Sequence, residues 1–253
     1  MPYYGREWAI TAGPCSFDEL LLTLAKWVFF DEHLRFYCSK ETDLKRPLKQ
    51  IAKYCALIFV APLAASEFIA RRIAGRDVWL DMQTELLSLL PGKSGILVRN
   101  AYYRLVLRKC SLDCCISFGT IISKSSTEIG RGVYLGGRCL IGLASIGEDT
   151  MLADHVHVLS GRHQHGTAAQ SVRFQDQAQA FTRVQIGRNT WIGSNAVIMA
   201  DIGENCIIGA GSVVTKPITA NCVAVGNPAR VIRPTYPTGE PRSAEPPPGE
   251  FKS

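Results

Sequence analysis

Residues 184–216 read VQIGRNTWIGSNAVIMADIGENCIIGAGSVVTK, and their spacing decides the fold. Aliphatic residues fall at Ile186, Ile192 and Ile198, then at Ile202, Ile208 and Val214, six apart within each triplet. Two places before each stands a small or β-branched residue: Val184, Thr190, Ala196, Ala200, Cys206 and Ser212. Strand side chains alternate between faces, so both members of each pair point the same way. A large residue coupled to a small one at this period suits a narrow, three-sided parallel coil. The large side chain fills the interior from each face, and the small one fits near the corner.

The same rule runs upstream through Ile116 and Ile122, then Ile129, Leu135 and Ile141, then Ile146, Leu152 and Val158. Their partners are Cys114, Thr120, Thr127, Val133, Cys139, Ala144, Thr150 and Val156. An ordinary sheet of short strands would not keep a spacing of six through nine intervals, so the reading is a solenoid. Between groups the register slips: seven residues from Ile122 to Ile129, five from Ile141 to Ile146, four from Ile198 to Ile202. Such slips belong at corners. Glycine often follows the aliphatic residue, where it is expected to allow a turn with positive φ.

The pattern resembles the hexapeptide-repeat acyltransferases, most specifically in VQIGRNTWIGSNAVI, IGENCIIGAGSVVTKPI and VGNPARVIR. The resemblance covers residues 114–233 and implies a mainly β fold, a left-handed parallel β-helix, preceded here by an α-helical N-terminal region. One departure is MADIG after Ile198, two residues shorter than the family's usual Pro-Gly-Val-x-Ile-Gly form of that coil.

Between Val158 and Ile186 the period fails, and 27 residues intervene. Extra length at one corner of a solenoid is a projecting loop, here 159–185, and such loops tend to carry function. It begins beside four of the chain's five histidines. Alternation turns His155 and His157 outward from their strand, whereas His163 and His165 lie at the loop base. Gln164, Arg173 and Asp176 are polar loop residues suited to a hydroxyl-rich molecule. An imidazole titrating near neutrality suits removal of an acceptor proton during acyl transfer. The family's catalytic histidine follows a V-x-I-x-T-x-x-H stretch, which Val156-His157-Val158-Leu159-Ser160-Gly161-Arg162-His163 matches with valine and serine substitutions; the resemblance therefore implies His163 as general base. A zinc site of the carbonic-anhydrase kind is the rival reading. It would need histidines on separate coils, and these cluster on one strand and its loop.

The resemblance also implies acetyl-CoA as donor. Ser194 and Ala210 would offer contacts to the pantetheine arm and Trp191 would wall the groove. Thr215, Lys216, Arg230 and Arg233 would meet the adenosine phosphates, and guanidinium forks suit phosphate oxygens on chemical grounds alone. A homotrimer is implied, since a neighbouring subunit supplies the second wall. The acceptor expected is a sugar or glycan hydroxyl, and a non-catalytic β-helical scaffold is the alternative.

The net charge of +6, without basic runs interleaved with aromatics, argues against nucleic acid and leaves an anionic ligand or a membrane surface open. Nine cysteines with no paired C-x-x-C arrangement read as reduced thiols of a cytoplasmic protein. No signal peptide is expected from MPYYGREWAITAG. Residues 1–113 carry no repeat and read as helices, over 17–36, 48–75 and 86–110. The uncharged run 54–65 is short for a membrane span. With Lys49, Lys53, Arg71 and Arg72 around it, residues 49–72 could instead rest on the cytoplasmic membrane face. Residues 234–253, with six prolines, are expected to be disordered.

Overall fold

The computed structural model describes residues 45–74, 77–162, 164, 166 and 172–236. Three helices come first: α1 (Lys45–Ala74), α2 (Val78–Ser88) and α3 (Gly92–Val106). The helix expected over 17–36 and the end of the tail from 237 lie outside the described residues.

Every later strand but the last belongs to a parallel solenoid with three faces. Face A carries β1 (Lys109–Cys110), β4 (Glu128–Ile129), β7 (Ala144–Ile146) and β10 (Val184–Ile186), continued by bridges from Ile186 to Ile202 and on to Ile218. Face B carries β2 (Cys115–Ile116), β5 (Tyr134–Leu135), β8 (Met151–Leu152), β11 (Trp191–Ile192), β13 (Ile207–Ile208) and β15 (Cys222–Val225). Face C carries β3 (Ile121–Ile122), β6 (Leu140–Ile141), β9 (His157–Val158), β12 (Val197–Ile198) and β14 (Val213–Val214). β16 (Arg230–Pro234) folds back antiparallel on β15 and closes the last coil. This is the fold class predicted.

The aliphatic residues read from the repeat are all buried and stack in register down the three faces. Fully burying each such side chain stabilises the fold by about 1.5–3 kcal/mol, so the column of isoleucines is the main cohesive element. Their small partners are buried too, except Cys114 and Ala200, which are half-buried. Buried threonines tie coil to coil: Thr120 donates to the Gly136 carbonyl at 2.6 Å, Thr127 to Gly142 at 2.8 Å and Thr150 to Gly187 at 2.8 Å.

The structure corrects the role of glycine. Residues with positive φ stand three places before the aliphatic position, as in Gly132, Asp149, Asn189 and Asn205 before face B and Gly119, His155, Asn195 and Gly211 before face C. Asn, Asp and His tolerate that region better than most residues. The glycine after the aliphatic residue is needed instead for closeness: a Cβ on Gly187 would lie 2.3 Å from the Glu204 nitrogen of the next coil, and one on Gly203 would lie 2.4 Å from Ala220.

The solenoid also begins one rung earlier than residue 114. Cys110, six before Ile116, is 2% exposed and fills the first inward place on face A. As a cysteine it carries no aliphatic signal. Above this rung the helices close the open end. Arg99, fully buried, donates to Ile116 O at 2.9 Å, Leu87 O at 3.1 Å and Leu90 O at 2.7 Å. A cation at the end of α2 complements that helix dipole and satisfies its last carbonyls. Asp77 accepts from the Ser125 nitrogen at 3.1 Å and hydroxyl at 2.7 Å, fixing the start of α2 to the first coil.

Among the described residues the cysteines are free, including Cys110 and Cys114, whose sulfurs are 3.9 Å apart. Burial pushes the Cys139 thiol up to about 11. A hydrogen bond with Cys110, then burial, raises that of Cys114. Thiols held protonated in this way are poor nucleophiles.

Candidate active site

Every departure from the period of six occurs at one corner, the turn from face C to face A. Ile122 to Ile129, Ile141 to Ile146, Ile198 to Ile202 and Val214 to Ile218 all cross it, and so does the long loop between Val158 and Ile186. The corners from A to B and from B to C must keep one geometry for their strands to stay in register. Only the third corner is free to change length, and the loop projects there.

The described parts of the loop fold back along the solenoid. Thr182 N–H donates to Ser160 O at 3.0 Å and Gly166 N–H to Ala178 O at 3.0 Å, so the outgoing and returning arms run side by side. The Ser160 hydroxyl, buried, accepts from Leu143 N–H at 2.9 Å and anchors the loop's first turn. Gly161, at φ 85°, passes so near Thr182 that a Cβ there would lie 2.8 Å from its side chain. On the returning arm Arg183 lies 3.5 Å from Glu128, and Phe181 lies under the Lys124 ammonium at 4.6 Å from the ring centroid. Lys124 and Phe181 are 57 positions apart in the chain, a pairing no local pattern announces.

These contacts frame a cleft of about 160 Å³ lined by Ser123, Lys124, Leu140, Ser160, Gln164 and Phe181, among others. His163 and His165 lie outside the described residues; Gln164, between them in sequence, lines the cleft and donates to Gly161 O at 3.4 Å. Arg173 and Asp176 pair with each other at 2.6 Å on an exposed turn at Phe174–Asp176. His155 occupies an exposed corner with φ 60°, and His157 is exposed on β9.

The other predicted contacts divide between places. Trp191, 53% exposed, stands on face B beside Met151, 45% exposed. Ser194 and Ala210 belong to successive B-to-C corners, where Gly211 N–H donates to Ser194 O at 2.8 Å. Thr215 and Lys216 follow β14 at the C-to-A corner, with Lys216 exposed. Arg230 and Arg233 are exposed on β16, at the edge of face B. Ala229 N–H donates to Val213 O at 2.8 Å, which brings the start of β16 against β14, the strand that Lys216 follows.

The outward residues of the faces differ sharply. Face A presents Lys109, Glu128, Ser145 and Gln185. Face B presents Cys115, Tyr134, Met151, Trp191 and Ile207, and face C presents Ile121, Leu140, His157, Val197 and Val213.

Residues 183–216 match the family model for the bacterial transferase hexapeptide (six repeats). No curated protein matches the chain. Among solved structures, a maltose O-acetyltransferase from Clostridium difficile 630 is similar at 26% identity, covering 68% of this chain and 88% of its own, with a TM-score of 0.54. The polySia-specific acetyltransferase NeuO is similar at 25% identity over 53% of this chain and 63% of its own, with a TM-score of 0.41. AntD, an N-acyltransferase from Bacillus cereus solved with dTDP-4-amino-4,6-dideoxyglucose and coenzyme A, is similar at 17% identity over 48% of this chain and 69% of its own, with a TM-score of 0.40.

Proposed function

We propose that this hexapeptide-repeat acyltransferase moves an acetyl group from acetyl-CoA to a hydroxyl of a sugar or glycan, with His163 as general base. The acyltransferase class and the acyl-CoA donor rest on the match at residues 183–216 and on the likeness to the maltose O-acetyltransferase. One observation carries the finer reading: the single corner free to lengthen holds a loop folded over a cleft, and His163 falls within the first residues of that loop.

The chemistry needs no enzyme nucleophile, because the thioester is already activated. His163 takes the proton from the acceptor hydroxyl as its oxygen attacks the acetyl carbonyl. The tetrahedral intermediate collapses, the carbon–sulfur bond breaks, and the departing thiolate takes the proton from the imidazolium. Trp191 and Met151 offer an exposed apolar strip for the pantetheine arm, and Arg230 and Arg233 offer unburied guanidinium groups for phosphates.

The apolar outward sides of faces B and C support a homotrimer in which a neighbour covers them and adds a wall to the cleft. At about 160 Å³ on one chain the cleft is smaller than the ~300–1,000 Å³ usual for a small-molecule site. The enzyme is then cytoplasmic, where acetyl-CoA is made, with its helical cap toward the membrane.

The test is release of free thiol from acetyl-CoA with maltose, glucose and a polysaccharide as acceptors, comparing wild type with His163→Ala. Turnover should fall by about 10²–10⁴-fold in the variant. Unchanged turnover would remove His163 from the mechanism. Absence of coenzyme A binding by calorimetry would make the protein a β-helical scaffold.

A further inference from the structure

The first A-to-B corner sets Cys110, Cys114 and Cys115 within one short stretch. Two of them converge. Cys110 Sγ and Cys114 Sγ lie 3.9 Å apart, and both donate to one carbonyl, Ser111 O, at 3.6 Å and 2.9 Å. Cys115 instead stands on β2 in the outward place before buried Ile116. The turn between the converging pair is fixed by Ser111 N–H, which donates to Ile129 O at 3.2 Å, and by Asp113 N–H, which donates to Ser111 Oγ at 3.1 Å. The sulfurs of a disulfide lie ~2.05 Å apart, so rotation about the two Cα–Cβ bonds is what separates this contact from a bond.

The two thiols differ in access. Cys110 is 2% exposed, whereas Cys114 is half-buried and lines a cleft of about 370 Å³ beneath the cap, beside Leu97, Leu112 and Cys115. A small reagent entering the cleft meets Cys114 first, with Cys110 behind it. The hydrogen bond with Cys110, then burial, holds the Cys114 thiol protonated. Proximity within the pair, not thiol acidity, is therefore what favours reaction here.

The same turn is where the cap is pinned. Lys53 of α1 pairs with Asp113 Oδ1 at 2.5 Å, and Asn100 of α3 donates its Nδ2 to Cys114 O at 2.5 Å. A bond from Cys110 to Cys114 closes a ring that contains Asp113 and ends at the carbonyl Asn100 holds.

We infer that Cys110 and Cys114 form a reversible disulfide by exchange with a small organic disulfide, and that this bond locks the cap onto the first coil. Cys114 gives up its proton and attacks one sulfur of the external disulfide, whose S–S bond breaks; one half leaves as a thiolate and takes up a proton. Cys110 then gives up its proton, attacks Cys114 Sγ and expels the second half, which is protonated in turn. Two protein thiols are oxidised and one external disulfide is reduced to two thiols. Neither step involves acetyl transfer.

The test treats the folded full chain with bis(2-hydroxyethyl) disulfide at about pH 8.5, near the ordinary thiol pKa. Alkylation in urea with N-ethylmaleimide and digestion with trypsin follow. Cleavage after Lys109 and Lys124 releases residues 110–124, which carry all three cysteines. That peptide is expected with an internal disulfide and one maleimide, on Cys115, and with three maleimides once dithiothreitol has reduced it. Cys110→Ser should stop the sequence halfway, with half of the reagent retained on Cys114; Cys110→Ala serves if the serine does not fold. Cys114→Ser should leave Cys110 unreacted. A bond that includes Cys115, a mixed disulfide that persists in wild type, or three maleimides after treatment would each overturn the inference. The closed bond should raise the thermal midpoint by about 4–8 °C, and an unchanged or lower midpoint would overturn its part in holding the cap.

Discussion

Two corners of this solenoid obey one rule and the third obeys none. From face A to B and from B to C the chain always takes six residues, and each of those turns from Gly119 to Gly211 has a left-handed position three places before the inward residue. From C to A it takes seven, five, four, or the whole length of the loop. Three inward columns must stay stacked, but their register needs only two constrained turns per coil. The remaining turn can absorb insertions at the modest cost of closing a longer loop. A projecting site is therefore built where the backbone has no repeat to maintain, and rigidity is confined to the rest.

The sharpest division of the two regimes is His163→Ala. Activity should fall by about 10²–10⁴-fold while the thermal midpoint stays within error of wild type, since the loop corner contributes no rung to the core. A large loss of stability with the activity would erase the distinction. Next comes the junction of cap and coil. Arg99→Met should destabilise by about 3 kcal/mol in urea unfolding, because buried carbonyls at the end of α2 and at Ile116 lose their donor. A loss below about 1 kcal/mol would mean that water replaces the guanidinium.

At a regular position, Gly203→Ala should cost about 2 kcal/mol, as its Cβ meets the backbone of the next coil at 2.4 Å. An alanine tolerated there would show that coil spacing is softer than the geometry says. The pH arm of the comparison concerns Cys139, 1% exposed in the core of the regular coils. With its thiol raised from 9.0 to about 11, the folded protein keeps a proton that the unfolded chain releases. Stability should fall as pH rises through that window, by about 2 kcal/mol. Cys139→Ala should remove that increment from the difference between urea midpoints at about pH 8 and pH 11. The smallest effect is expected at Arg138, a regular-corner residue held at φ 56°. Arg138→Asn should stabilise by up to about 1 kcal/mol, read as a raised melting temperature.

Much of this was legible in the residues. The inward isoleucines and their small partners identified the coil because a triangular interior admits one size class per place, and that constraint is written at every repeat. The first rung escaped notice because Cys110 is buried without being aliphatic. The glycines after the inward residues are legible as positions, but not their reason: sequence shows that a Cβ is absent, not whether φ or the neighbouring backbone forbids it. Arg173 and Asp176 were legible as polar loop residues, but their pairing with each other across a short turn shows only in the structure. The buried Arg99 and the Lys124–Phe181 contact had no signature at all, since each joins segments far apart in the chain.

By itself, then, the sequence determined the three-sided coil, the place of the inserted loop and the histidine candidate within it, because these follow from a period that every coil must satisfy locally. Only the tertiary structure decided that all slips share one corner, that a buried arginine joins the cap to the first coil, and that faces B and C are the more apolar ones outside. Those are relations between coils and helices, set by which surfaces meet when the chain winds, and no window of consecutive residues contains them.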